Sequence, residues 1–463
     1  MDDINLQKAI EYYRNNQSHF IELLKALSAI PSISFPGYSA QEMERSAQFI
    51  KKEFEKLKLE HVDIITLPGA HPYICADICK HPNAPTILLY AHHDVQPPLR
   101  AEVWNSPAFS PEEREGRLYG RGTADDKAGI ILHIASLASC IAASGCVPLN
   151  IKLLIEGEEE TGSEHIDSFL QANPERIKAD CVIIADSANF DTGIPSLTTS
   201  LRGLAVLEVT VSALESPLHS GLWGGPIPDP VIGLSKILSS LTNKNGDIAI
   251  PELTKLIPTL SKKDNDDIMS IPYTTDMFRQ QARVKSGVNL HGKNQELLFK
   301  IWRQPSININ GIESGGKKVG NVIMDKAWAR VGLRLAPEMP ANKCVNFLKK
   351  FLVAKCPHNL HLEIDNSPAV DGWQTDTTHP AFETARKCMQ EAYEAEPVII
   401  GSGGSIPLVL SLANMLEEVP ILLTGIEDPY TNAHSENESL CLSDFHKAVE
   451  SQIRFFYALA STS

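Results

Sequence analysis

Hydrophobic and polar positions follow two different periods along the chain. Between Ala40 and Leu57 the apolar residues Met43, Ala47, Ile50, Phe54 and Leu57 recur at spacings of three and four, which puts them on one face of a helix. Gln17 to Ile30 has the same period and stops before Pro31, whose ring and missing N–H end a helix. Short runs of Leu and β-branched residues come next: Thr86-Ile-Leu-Leu-Tyr-Ala91, Asn150-Ile-Lys-Leu-Leu-Ile155 and Cys181-Val-Ile-Ile-Ala185. Runs of this length without polar alternation suit strands covered on both faces. Gly129 to Ala143, rich in Ala, Ile and Leu, fits a helix between two of them, so the region reads as α/β with a mostly parallel central sheet.

The same texture returns near the C-terminus, with strands at Pro397–Ile400 and Pro420–Thr424 and a closing helix from Ser443 to Ala460. The middle differs. Leu204 to Ser212 and Ala327 to Leu335 alternate between two faces, as half-exposed strands do, and Pro-rich or polar stretches and a helical piece near Val231–Leu241 lie between them. The pattern predicts one α/β domain built from residues 1–197 and 372–463, interrupted by an inserted α+β domain over residues 198–371.

Three strands run directly into residues that can bind metal. Thr86–Ala91 leads into His92-His93-Asp94, Asn150–Ile155 into Glu156-Gly-Glu158-Glu159-Glu160, and Cys181–Ala185 into Asp186. Open parallel sheets collect ligands outside the carboxyl ends of their strands, so these groups should share one edge. Asp125-Asp126, in the loop Tyr119-Gly-Arg-Gly-Thr-Ala-Asp-Asp-Lys127, and His434, after the strand ending at Thr424, add to it. Crowding that many carboxylates without a counter-charge is unfavourable, and a cation is the simplest answer. A donor set of His, Asp and Glu without Cys suits Zn²⁺, and also admits Mn²⁺ or Co²⁺.

Composition narrows the partners. Forty-two Lys and Arg against fifty-seven Asp and Glu leave a net charge of −15, and no run of five or six basic residues occurs, which argues against nucleic acid and anionic membrane. The longest apolar runs fall short of the ~20 residues of a membrane-spanning helix. Nine scattered cysteines with no CxxC pair read as free thiols. With a start, Met-Asp-Asp-Ile-Asn-Leu-Gln-Lys, that lacks a secretory signal pattern, they point to the cytoplasm. No Gly-x-Gly-x-x-Gly follows the first strands, which removes a dinucleotide-binding dehydrogenase.

The ordered set His92-His93-Asp94, Gly120-Arg-Gly-Thr-Ala-Asp125-Asp126-Lys127, Glu159-Glu160-Thr-Gly-Ser163, Asp186 and His434 resembles the dinuclear zinc exopeptidases and deacylases. That superfamily includes acetylornithine deacetylase, succinyl-diaminopimelate desuccinylase, aminoacylase and glutamate carboxypeptidase. Asp94-Val-Gln-Pro97, Arg202-Gly203, His219-Ser-Gly-Leu-Trp-Gly-Gly225, Gly404-Ser-Ile-Pro407 and Ala433-His-Ser-Glu436 are most similar to its cytosolic non-specific dipeptidase and carnosine dipeptidase branch.

The resemblance implies two divalent metal ions per subunit, with Asp125 bridging them, Glu160 and His434 on one, and His92 and Asp186 on the other. It implies Glu159 as general base, Asp94 as a partner steadying the site, and a cis peptide at Asp125-Asp126. In the inserted domain, which serves as lid and dimerisation domain, it implies that His219 reaches across a homodimer to stabilise the oxyanion, assisted by Asn321. Arg334 and the Gly403, Gly404, Ser405 loop would hold the substrate carboxylate. The implied activity is hydrolysis of dipeptides, with an N-acyl-amino-acid deacylase or carbamoylase as the alternative on the same fold. The chain departs from the dipeptidase pattern at Gly401, where an Arg is common, at Met324, near which a Pro is common, and at Pro217, which replaces an acidic residue.

Overall fold

A computed structural model describes residues 2–316 and 320–461. The chain forms two compact units, one from Met1–Thr199, Thr375–Ile400 and Ile406–Ser463, the other from Ser200–Gln374 and Gly401–Ser405. The loop Gly401–Ser405, expected with the catalytic domain, groups with the second unit. The reason is close packing: a Cβ on Gly401 would stand 2.7 Å from Trp302 Cβ and 2.8 Å from Ser200 Oγ.

In the first unit the strands line up in the order Glu60–Ile65, Tyr73–Ile78, Asn150–Glu156, Thr86–His92, Cys181–Ala188, Ile421–Glu427, Ser196–Leu201. The four central strands, Asn150–Glu156 through Ile421–Glu427, are mutually parallel. Antiparallel pairs flank them on both sides, so the sheet is mixed at its edges and parallel where the apolar runs are longest. Residues Ile87 to His92 are all buried, as the unbroken run requires.

Helix Lys127–Ser144 packs on strand Thr86–His92 and between helices Asp2–Ser28 and Leu442–Ala460. It is apolar on nearly all sides because it has neighbours on nearly all sides. By length and composition alone it could cross a membrane, but 78% of it is buried inside the protein and packing accounts for its apolarity. Gly145 ends it in a left-handed conformation (φ 81°), its N–H bonded to Ile141 O at 2.7 Å. The first helix begins at Asp2 rather than near Gln17. Ala9, Ile10 and Tyr13 already face the core, and the polar pair Asn16-Gln17 interrupts their stripe before Phe20, Ile21, Leu24 and Leu27 resume it.

In the second unit the strand order is Ser306–Glu313, Lys326–Leu335, Gly203–Ser212, His361–Asn366, antiparallel throughout. Ala205, Leu207, Val209 and Val211 alternate onto the face that Ala327, Ala329, Val331, Leu333 and Leu335 share. Helices Pro230–Ser239 and Ala341–Lys355 cover that face with Leu234, Ile237, Cys344, Val345, Leu348 and Leu352. All nine cysteines of the chain are free.

Leu89, fully buried in the central strand, tests how rigidly the sheet is packed. Leu89→Ala should lower stability by about 2–5 kcal/mol through lost burial and a residual cavity, read as a drop in the urea midpoint.

Candidate active site

The side chains singled out in the first unit converge on the carboxyl edge of its parallel strands. His92 closes strand Thr86–His92, Glu159 and Glu160 form a single 3-10 turn three residues past strand Asn150–Glu156, and Asp186 lies near the end of Cys181–Ala188. Asp125 and Asp126 immediately precede helix Lys127–Ser144, and the peptide bond between them is cis. His434 sits in a left-handed conformation (φ 60°) in the loop that follows Ile421–Glu427.

Asp125 is the centre of the arrangement. Its Oδ1 lies 3.1 Å from His92 Nε2 and its Oδ2 lies 3.1 Å from His434 Nε2, so each carboxylate oxygen meets a different imidazole. Glu160 Oε2 is 3.2 Å from His434 Nε2, and Asp186 Oδ1 is 3.9 Å from His92 Nε2. Two sets of donor atoms each fall within 4.8 Å of one another: Asp125, Glu160 and His434 in one, His92, Asp126 and Asp186 in the other. Glu159 Oε2 stands 4.0 Å from His92 Nε2, beside both sets and in neither.

Asp94 works from behind. Its Oδ1 accepts from the backbone N–H of Glu159 at 3.2 Å, and its Oδ2 accepts from the N–H of Glu160 at 3.0 Å and from Ser34 Oγ at 2.7 Å. Its own carbonyl lies 3.1 Å from His92 Nδ1, which turns His92 Nε2 toward the carboxylates. Gln96 steadies Glu160, its side-chain amide donating to Oε2 at 2.6 Å.

The electrostatics record the crowding. Burial and the surrounding carboxylates of Asp186, Glu160 and Asp125 push Glu159 well above the ordinary carboxylate range, against the pull of His92. Burial and Asp125 do the same to Glu160, and Asp186 is pushed up to about 6, mainly by burial. Burial would depress His92, yet its contacts with Asp125 and Asp94 hold it well above its usual value. Asp125 moves the other way, since contacts with His434 and His92 overcome its burial and keep it ionised.

The residues fit a pair of divalent cations. His92 Nε2 is buried and has no hydrogen-bond partner, an orphaned lone-pair site aimed at carboxylates that repel one another. Each donor set offers one imidazole with carboxylates, the nitrogen and oxygen chemistry that Zn²⁺, Mn²⁺ and Co²⁺ accept.

The candidates in the second unit form two further groups. Leu218-His219 pairs with Val322-Ile323 as a short antiparallel ladder, His219 opposite Val322, and the carbonyl of Asn321 accepts from Ser220 N at 2.9 Å, so His219 and Asn321 lie one position apart across the ladder. His219 is exposed, with Nδ1 accepting from Gly221 N at 3.1 Å. Arg334, on strand Lys326–Leu335, donates from Nη1 to Ser405 Oγ at 3.1 Å. Gly403 and Gly404 belong to the same loop, where Gly404 N donates to Ser402 Oγ at 3.0 Å.

Sequence reasoning passed over Glu438. Fully buried, it accepts from Arg121 Nη1 at 2.7 Å and from the backbone N–H groups of Gly122, Ala124 and Asp125 at 3.1, 3.0 and 3.2 Å, so it holds the loop that presents Asp125. Asp126, placed with Asp125 at the metal-binding edge but assigned no ligand role of its own, accepts from His92 N through Oδ2 at 3.1 Å and joins His92 and Asp186 in one donor set. Glu427 ends its strand near the same edge, where burial, with Asp125 and Asp186 adding, raises its carboxyl well above the usual range. The run Ala433-His-Ser-Glu-Asn-Glu438 held a signal for Glu438, in that two carboxylates so close to a candidate ligand histidine invite a supporting role for one.

Comparison with known proteins identifies the family. The sequence profile of peptidase family M20/M25/M40 matches residues 88–458. A cysteinylglycine-S-conjugate dipeptidase of Corynebacterium striatum is 34% identical over 432 residues, covering 92% of this chain and 92% of that protein. A Cys-Gly metallodipeptidase of Schizosaccharomyces pombe is 29% identical over 481 residues, covering 99% of each. The solved structure of the di-peptidase Dug1p from Saccharomyces cerevisiae superposes with a TM-score of 0.87 at 24% identity, covering 98% of each chain, and shows the shared fold.

The shifted groups set the sign of a pH test. Without metal, His92 and His434, with pKa values raised in the fold, contribute stability that is lost as pH rises through those values, and Asp186, raised to about 6, disfavours the fold once ionised. Metal binding needs these same groups deprotonated. The gap in melting temperature between metal-loaded and chelator-stripped protein should therefore widen from about pH 6 to about pH 8, as measured by thermal denaturation.

Proposed function

The chain belongs to peptidase family M20/M25/M40, and from that premise we propose that it is a two-metal dipeptidase whose general base is Glu159. The observation that carries the reading is Asp125, with one oxygen 3.1 Å from each of two histidines. His92 and Asp186 would hold one cation, Glu160 and His434 the other, and Asp125 both. Zinc suits the ligand set best, with manganese or cobalt as substitutes. Bound there, the pair would polarise the scissile carbonyl and bring a water between them toward neutral acidity.

Glu159 takes the proton of the attacking water as the new C–O bond forms. It then delivers that proton to the amide nitrogen as the C–N bond breaks, so that a free amine and a carboxylic acid leave. Asp94 fixes the base by bonding its backbone N–H. Arg334 and Ser405, with the Gly403-Gly404 loop, take the substrate's free carboxylate, for which the planar guanidinium fork is well shaped. His219, contributed across a homodimer and assisted by Asn321, donates to the developing oxyanion, a role worth about 2.7–4 kcal/mol in other enzymes. Nine free thiols suit a reducing compartment such as the cytosol.

A panel of dipeptides, including Cys-Gly and β-Ala-His, assayed beside N-acyl amino acids tests the substrate class. Dipeptides should be turned over in preference, and faster turnover of the N-acyl set would replace this reading with a deacylase. Glu159→Gln should lower kcat by about 10²–10⁴-fold while metal content by elemental analysis stays at that of the parent, since Glu159 belongs to neither donor set. Undiminished turnover by the variant would remove Glu159 from its role.

A further inference from the structure

Arg202, immediately before strand Gly203–Ser212, is 9% exposed, and no carboxylate pairs with it among the described residues. One end of its guanidinium is engaged: Nη1 donates to Ser306 Oγ at 3.1 Å and to the carbonyls of Gln304 and Lys300 at 3.4 and 3.5 Å, just past and within helix Gln295–Trp302. The other edge is not. Nε is buried without a hydrogen-bond partner, and Nη2 lies beside Gly403, 2.9 Å from where a Cβ on that glycine would stand.

Arg334 shares the spot. Ser405 Oγ accepts from Arg334 Nη1 and donates to the carbonyl of Arg202, so one hydroxyl ties the two arginines to the same loop. No carboxylate pairs with Arg334 either among the described residues. Their mutual effect is visible: burial, with Arg334 adding, pushes Arg202 down to about 10. Two half-dry guanidiniums without a counter-ion are costly, and an anion taken up by both is the direct relief. The Nε–Nη2 edge is one of the two edges of arginine that match the two oxygens of a carboxylate. At Gly403 any side chain would displace Nη2, so the absence of a Cβ there keeps that edge in place.

We propose that Arg202 is the second arm of a two-arginine clamp on the substrate's free C-terminal carboxylate, gripping it with Nε and Nη2 while Arg334 grips from the other side. The inference rests on the dipeptidase reading for the identity of the anion. A purely structural Arg202, fastening the end of helix Gln295–Trp302, would serve substrates with and without a carboxylate equally.

The test uses metal-loaded protein and a dipeptide analogue whose scissile amide is reduced to an amine, together with the C-terminal carboxamide of that analogue, both titrated by calorimetry. Arg202→Met should weaken binding of the carboxylate analogue by about ten- to a hundredfold and leave the carboxamide within about threefold, with KM for a dipeptide rising and kcat little changed. Arg202→Lys, which keeps the charge and loses the fork, should fall between parent and Met variant, and it decides the matter if Arg202→Met does not fold. Equal losses for both analogues, or no loss for either, would overturn the clamp. Parent protein that binds the carboxylate analogue through Arg202 yet hydrolyses no dipeptide would leave the clamp standing and overturn the dipeptidase reading instead.

Discussion

One buried carboxylate held between two imidazoles is the constraint on which the rest of the first unit depends. Asp125 can meet His92 and His434 at once only if the loop from Gly120 to Asp125 is fixed, and four donors on that loop converge on Glu438 to fix it. Glu438 is in turn charge-balanced by Arg121, itself fully buried. The same economy is seen around Glu156 and Glu158, which accept hydroxyl bonds from Tyr90 and Tyr73. Glu158 is satisfied in this way, whereas Glu156 keeps one oxygen without a partner and is pushed up to about 8, mainly by burial. Carboxylate oxygens crowd most closely around His92 Nε2 and His434 Nε2, so the demand for cations is local and does not follow from the overall charge of −15.

The signs of the two units' functional groups differ. The first gathers carboxylates without enough cationic partners, and the second gathers Arg202 and Arg334 with no carboxylate paired to either among the described residues. Both conditions are unfavourable in an isolated folded chain, because a desolvated charge keeps little of its hydration and gains nothing in return. Each would be relieved by a ligand of opposite sign, a divalent cation in one case and, as proposed above, a carboxylate in the other. A dipeptide offers the second of these at one end, which is why the absence of a counter-ion beside Arg334 says more about the substrate than the arginine alone does.

Legibility in the sequence followed the strength of the local pattern. Thr86–His92, Asn150–Glu156 and Cys181–Ala188 could be read because strands buried on both faces carry dense apolar runs, here interrupted early only by Lys152 in the second, and the chelating residues at or just past their ends stood at the sheet edge as strand topology requires. The first half of helix Asp2–Ser28 was hidden because Asn16 and Gln17 break its apolar stripe where it turns toward solvent. The attachment of Gly401–Ser405 to the second unit depends on Trp302, about a hundred residues upstream, and no local pattern reports such a contact. Glu438 was missed, and Arg202 was noted only as part of Arg202-Gly203 with no role, for one reason: each meets its partners far along the chain, Arg121 and Gly403 respectively, and neither residue type is distinctive by itself. Ligand spacing can be read as chemistry, whereas the groups that hold ligands in place become visible only once the chain is folded.

Asp94 shows why the His92-x-Asp94 spacing is tight. Its carbonyl meets His92 Nδ1, and its two carboxylate oxygens meet the backbone N–H groups of Glu159 and Glu160. A single residue thereby sets the direction of one candidate metal ligand, the position of another and the position of the proposed base. Moving it one residue along the chain would point its side chain to the opposite face of the extended segment and release all three together. Its carboxyl is held below the usual range because contacts with His92 and Ser34 outweigh the cost of burial. Asp94 is thus held low while Glu159 beside it is raised, and this difference between two neighbouring acids arises because hydrogen bonds outweigh burial at Asp94, whereas burial and neighbouring carboxylates outweigh the pull of His92 at Glu159.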